Sequence, residues 1–91
     1  MKHEKYSHEE LVLLKTREFG EIHTDEVQTL LYNCTYGYAG GVLLNLWKKG
    51  HLKRRKDKKR HGGKKYKYWL SEEGERIVDD ILKKDNSIST Y

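Results

Sequence analysis

The apolar positions of this chain change period twice, from that of a helix to that of a strand and back, with glycines and polar caps at the joints. Ser7-His8-Glu9-Glu10 is a capping box, in which the Ser7 hydroxyl can accept an orphan amide while Glu10 reaches back. It predicts a helix running to about Glu18, with Gly20 just past its end. On a helical wheel Leu11, Val12, Leu14 and Phe19 share one arc, whereas Leu13 points the opposite way. Leu13 therefore reads as an exposed leucine or a subunit contact. Glu21-Ile22-His23 is long enough only for a strand stub on the edge of a small sheet. Thr24 is then the expected N-cap of a second short helix, with Asp25 and Glu26 in its first turn and Val27, Leu30 and Leu31 at helical spacing. That helix should run to about Tyr32, and Asn33-Cys34 should turn the chain.

A third helix is predicted from Thr35 to Lys49, stopped by Gly50 in the left-handed conformation. Ala39, Val42, Leu43 and Leu46 form its core stripe. Gly37, Tyr38, Gly41, Leu44, Asn45 and Lys48 lie opposite, with Gly40 at the edge. Each glycine inside a helix costs up to about 1 kcal/mol relative to alanine. Either the backbone there must approach something closely, or the helix begins later, near Ala39 or Val42, and the glycines lie in a loop. Next, Leu52 to Lys58 and Lys64 to Leu70 read as the strands of a hairpin with its tip at Arg60-His61-Gly62-Gly63. Tyr66, Tyr68 and Leu70 alternate with Lys65, Lys67 and Trp69, so one face can lie on the core while the other is basic. Ser71 caps a last helix with Glu72 and Glu73 in its first turn and Ile77, Val78, Ile81 and Leu82 on its apolar face. Asn86 to Tyr91 reads as a frayed tail.

Ninety-one residues fit one domain, expected over residues 7–84 between tails at 1–6 and 85–91. The charge is distributed very unevenly. Trp47 to Tyr68 holds twelve basic residues and one acid, Asp57, a formal charge of +11. Residues 1–46 and residues 69–91 each sum to −3. A basic stripe on a mildly acidic body attracts phosphate, because each cation that neutralises a backbone charge releases condensed counterions. No apolar run approaches the roughly 18 residues a membrane span needs. MKHEKYSHEE lacks the apolar stretch of a secretory signal, and a lone cysteine, Cys34, fits a reducing compartment. A cytoplasmic location is expected.

The element order of helix, strand stub, two helices, two-stranded hairpin and helix resembles the winged helix-turn-helix, an α+β fold with a three-helix core, a hairpin wing and a C-terminal helix. The run NLWKKGHLKRR resembles the end of a recognition helix entering the first wing strand. KKYKYWLSEEGERIVDDIL resembles the second wing strand entering the last helix of MarR-like and PadR-like regulators, where aromatic-x-Leu-Thr/Ser-x-x-Gly recurs. Small regulators of archaea and their viruses are similar in size and charge, which would place the protein in a host cytoplasm. The resemblance covers residues 7–84 and implies a homodimeric transcription regulator that binds double-stranded DNA, its subunits meeting through the first and last helices. The third helix, 35–49, would enter the major groove, and the wing, 52–70, would lie on the backbone or minor groove.

By position on that fold, Thr35, Tyr36, Tyr38, Asn45 and Lys48 are the helix candidates for DNA contact. Hydroxyls of Thr35 and the tyrosines donate to phosphates, and Asn45 either pairs with adenine through its amide or sits too far along the helix to reach a base. Core packing at the helix entry is the other reading of the two tyrosines. Lys53, Arg54, Arg55, Lys56, Lys58, Lys59, Arg60, Lys64 and Lys65 supply the electrostatic footprint, with Arg60 and His61 at the tip placed for the minor groove. Arg or Gln, the usual base readers, are missing from the outward face of the helix, so DNA shape is expected to share in specificity. The five histidines show no metal-ligand spacing among themselves or with Cys34, and neither a phosphate-binding glycine loop nor a catalytic triad pattern is present. Neither metal, cofactor nor enzymatic activity is expected. Cys34 near a helix start reads as a packing residue or a redox sensor. An RNA-binding or general nucleic-acid module, stacking bases on Tyr66, Tyr68 or Trp69, and a protein-interaction domain using Leu13, Leu44 and Trp69 are the alternatives.

Overall fold

Each helix begins where a polar side chain can take its orphan amides. A computed structural model describes residues 6–57 and 66–89, with side chains through Lys84. Ser7 Oγ accepts from Glu10 N at 3.1 Å and Glu10 Oε1 accepts from Ser7 N at 2.9 Å, which starts α1, His8–Phe19. Gly20 follows at φ 87° and ends it. The second helix, α2, is Thr24–Leu30, and its N-cap is His23 in place of the expected Thr24. Glu26 Oε1 accepts from the His23 amide at 2.7 Å, so the carboxylate does the capping that a threonine hydroxyl was expected to do. The turn out of α2 runs through Tyr32 and Asn33, both in the left-handed region, one residue earlier than the sequence suggests. Thr35 Oγ1 accepts from Tyr38 N at 3.1 Å and starts α3, Tyr36–Lys48. All three glycines thus lie inside the helix, and the loop alternative fails.

Strands β1 (Leu52–Lys56) and β2 (Tyr66–Leu70) pair antiparallel in the register Leu52↔Leu70, Arg54↔Tyr68 and Lys56↔Tyr66. The stub is real: Ile22 and Tyr68 exchange both backbone hydrogen bonds, at 2.8 and 2.9 Å. The expected strand ends at 57–58 and 64–65, like the hairpin tip, fall at or beyond the edge of the described residues.

Ser71 ties the wing base to α4, Glu72–Ser89: its Oγ accepts from Gly74 N and donates to Gly50 O, and its amide donates to His51 O. The glycine of LSEEG sits directly over that junction, where a Cβ would overlap the His51 carbonyl oxygen. The last helix continues to Ser89, although the sequence suggests fraying from Asn86. Arg17 on α1 binds it from the side, with Nε 2.7 Å from Glu75 Oε1 and Nη2 2.8 Å from Asp79 Oδ1. The hydrogen bond to Asp79 raises the Arg17 pKa above its ordinary value, with smaller Coulombic help from Glu75.

The core gathers Val12, Leu13, Ile22, Val27, Ala39, Leu43, Leu46, Leu52, Tyr68 and Val78, each no more than 4% exposed. Leu13 is therefore core, contrary to the single-face wheel. Helix α1 touches α2, α3, α4 and β2, and its buried positions Leu11, Val12, Leu13 and Thr16 span an arc of about 200°. Phe19, expected in the core, is 52% exposed because the helix runs out beneath it, and Lys15 Nζ lies 5.2 Å from its ring centroid. Leu82 is likewise exposed.

Candidate nucleic-acid interface

The outer face of α3 has an unusual surface for a helix: aromatic hydroxyls beside bare backbone. Tyr36 and Tyr38 are both roughly half exposed, so neither fills the core at the helix entry. A Cβ built on Gly37 or Gly41 would meet nothing within 4 Å, so packing inside this chain does not explain either glycine. Between them and the start of α1 lies an open groove edged by His8, Tyr38, Leu44 and Asn45. His8 Nδ1 lies 2.7 Å from Tyr38 Oη and the two rings meet edge to face at 5.6 Å, a contact that holds the phenol at the rim. Asn45 and Lys48 continue the exposed face toward the wing. Thr35 is exposed, but its hydroxyl oxygen is engaged as the cap of α3.

Pairing across the hairpin sorts the basic residues into two faces. Lys53 and Arg55 are exposed on one face, opposite Trp69 and Lys67. Lys67 is held there by Glu21, 3.5 Å away. Arg54 and Lys56 share the other face with Tyr68 and Tyr66. Arg54 does not extend into solvent. Its guanidinium carbon lies 3.8 Å from the Trp47 ring centroid and 4.1 Å from that of Tyr66, and Nη1 is a long 3.5 Å from Tyr68 Oη. Lys49 is also engaged, with Nζ 2.7 Å from Glu9 Oε1 on α1. Among the described cations of the basic window, Lys48, Lys49, Lys53, Arg55 and Lys56 are exposed, Lys49 while paired with Glu9. Lys58, Lys59, Arg60, His61, Lys64 and Lys65 lie outside the described residues.

At the wing base, His23 Nε2 lies 2.9 Å from Asp57 Oδ2 and Nδ1 3.3 Å from Glu26 Oε1. The only acid of the basic window thus ties the hairpin to the start of α2. Neither this contact, nor the His8–Tyr38 contact, nor the Trp47–Arg54–Tyr66 cluster is legible in the sequence, because each joins residues of different elements. Asp57 alone among twelve cations was a signal that could have prompted a search for its partner. Cys34 is half-buried against the core, and its backbone carbonyl accepts from Gln28 Nε2 at 3.0 Å, a packing role. Among the described residues no cluster of three metal-ligating side chains occurs, and no helix is long and apolar enough to cross a membrane.

Three helices, a bridging stub, a two-stranded wing and a closing helix define the winged-helix class. No protein-family model and no curated protein matches this chain by sequence. Solved structures match it closely in fold. A cysteine-to-serine mutant of MarR from E. coli, complexed with operator DNA, is 21% identical, with a TM-score of 0.68 over 79% of this chain and 49% of that one. PadR from Bacillus subtilis, in complex with operator DNA, is 17% identical, with a TM-score of 0.68 over 81% of this chain and 44% of that one. The adhesin competence repressor AdcR from Streptococcus pyogenes is 16% identical, with a TM-score of 0.73 over 94% and 62%. The chain spans about half the length of the first two and somewhat more of the third. At these identities the shared property is the fold.

Proposed function

We propose that this chain is a sequence-selective double-stranded DNA-binding transcription regulator. Helix α3 enters the major groove, and the basic wing lies on the adjoining backbone and minor groove. The observation that carries the reading is the outer face of α3, where two exposed tyrosines, two unpacked glycines, Asn45 and Lys48 lead into a hairpin whose exposed side chains are cationic. Bare glycine backbone lets a helix sit deep against a groove wall, and hydroxyls and lysines suit phosphate oxygens. Two of the solved structures of the same fold are themselves complexes with operator DNA. Among the residues named from sequence, the proposed contacts are Tyr36, Tyr38, Asn45, Lys48, Lys53, Arg55 and Lys56, all of them exposed, and Thr35 contributes by starting the helix. Arg60, outside the described residues, is the proposed minor-groove contact.

The protein acts by binding, as a homodimer whose two recognition helices meet half-sites about one DNA turn apart. Leu13 is buried and unavailable to a subunit contact; the dimer forms through other positions of α1 and α4. The stacking alternative for single strands is disfavoured by Tyr68, which is 4% exposed, and by Tyr66, which faces Arg54. The test is fluorescence anisotropy against a randomised duplex pool at several salt concentrations, with sequencing of the bound fraction. Steep salt dependence with an enriched two-fold-symmetric site supports the reading. Tighter binding to single-stranded RNA than to duplex DNA would overturn it.

A further inference from the structure

Nine of the twelve cations between Trp47 and Tyr68 are lysine, which suffices for neutralising phosphate. Arg54 is one of the three exceptions, and its guanidinium is committed to rings. Trp47 belongs to the last turn of α3, Arg54 is the middle of β1, and Tyr66 opens β2. The cluster therefore spans the recognition helix and both wing strands, at the point where the hairpin leaves the body. A planar guanidinium packs flat on aromatic faces, and lysine cannot reproduce that geometry. Trp47 is 38% exposed, so the cluster stands at the surface between helix and wing and is no extension of the core.

We infer that Arg54 is a positioning residue for DNA recognition: it locks the wing to the end of the recognition helix through Trp47 and Tyr66, and does not itself contact phosphate. The lock sets the angle at which the cations of the wing meet the backbone while α3 sits in the groove. This inference rests on the DNA-binding reading above and names the residue that makes helix and wing act as one rigid surface.

Four variants separate the role from simple charge: Arg54→Lys, Arg54→Gln, Arg55→Lys and Arg55→Gln, each titrated with duplex DNA across a salt series. Arg54→Lys and Arg54→Gln should weaken binding equally, by about tenfold, and both should keep the wild-type log–log salt slope. Arg55→Lys should bind as wild type, and Arg55→Gln should make the slope shallower by about 0.9 per subunit, about 1.8 for the dimer. Trp47→Leu should reproduce the loss seen in Arg54→Lys, and the double variant should lose nothing further. With Trp69→Phe as background, the emission of Trp47 reports the stack without DNA and should change on Arg54→Lys. Wild-type affinity in Arg54→Lys, or a slope shallower by about 0.9 per subunit in Arg54→Gln, overturns the inference. Absence of salt-dependent binding by the wild-type protein would instead sink the DNA reading, and an emission unchanged by Arg54→Lys would remove the stack itself.

Discussion

Gly74 and the glycines of α3 are the same residue put to opposite purposes. At Gly74 the missing side chain is required by the fold, because any Cβ would collide with the His51 carbonyl oxygen and crowd Leu70. Gly74→Ala should destabilise the protein by about 3 kcal/mol, read from urea midpoints, since the obstructing atom is backbone and cannot rotate away. At Gly37 and Gly41 the same change meets empty space. Gly37→Ala and Gly41→Ala should each stabilise the free protein by up to about 1 kcal/mol. If α3 approaches DNA along this face, they should also weaken duplex binding. A stabilised variant with unchanged affinity would remove the close-approach role. Leu13 and Phe19 give a further contrast. Leu13→Ala should cost about 2–5 kcal/mol, whereas Phe19→Ala, at a half-exposed ring, should shift the unfolding midpoint only slightly.

The elements follow from local chemistry, and their relative placement follows from a few side chains at the joints. Serines 7 and 71 and Thr35 start three of the four helices as their types suggest, while α2 is started by a carboxylate reaching back to His23. The isolated bridge from Ile22 to Tyr68 holds β2 on the edge that does not pair with β1, so the hairpin is anchored from both edges of β2. Asn45 sits one turn before the end of α3, on its outer face. Asn45→Ala should reduce discrimination between selected and random duplexes more than it reduces overall affinity. Equal loss on every sequence would assign it to the backbone.

For the whole molecule the decisive property is the separation of charge, +11 within the helix end and wing against acidic flanks. The structure pairs Lys49 with Glu9 and Lys67 with Glu21, which ties the basic window to the acidic body, and commits Arg54 to the rings of Trp47 and Tyr66 within that window. Among the described residues, Lys48, Lys53, Arg55 and Lys56 are left for the proposed footprint. If about six phosphates are neutralised in all, log affinity should fall with log salt at a slope of about −5. A slope shallower than about −2 would mean that the basic window is not the binding surface.

Element order, three of the four caps, the core stripe of α3, the strand stub and the two strands of the hairpin were legible in the sequence because each depends on neighbours within a few residues: a hydroxyl three positions from an amide, a period of 3.6 or of 2. What surrounds an element was not. Leu13 is buried because α1 is covered over an arc of about 200°, a fact set by where α4 and β2 come to rest and not by any pattern within the helix. Arg54 reads in sequence as one phosphate-seeking cation among twelve. Only the folded chain brings Trp47 and Tyr66, seven positions before it and twelve after, onto its guanidinium, because contact between side chains on separate elements depends on how those elements pack.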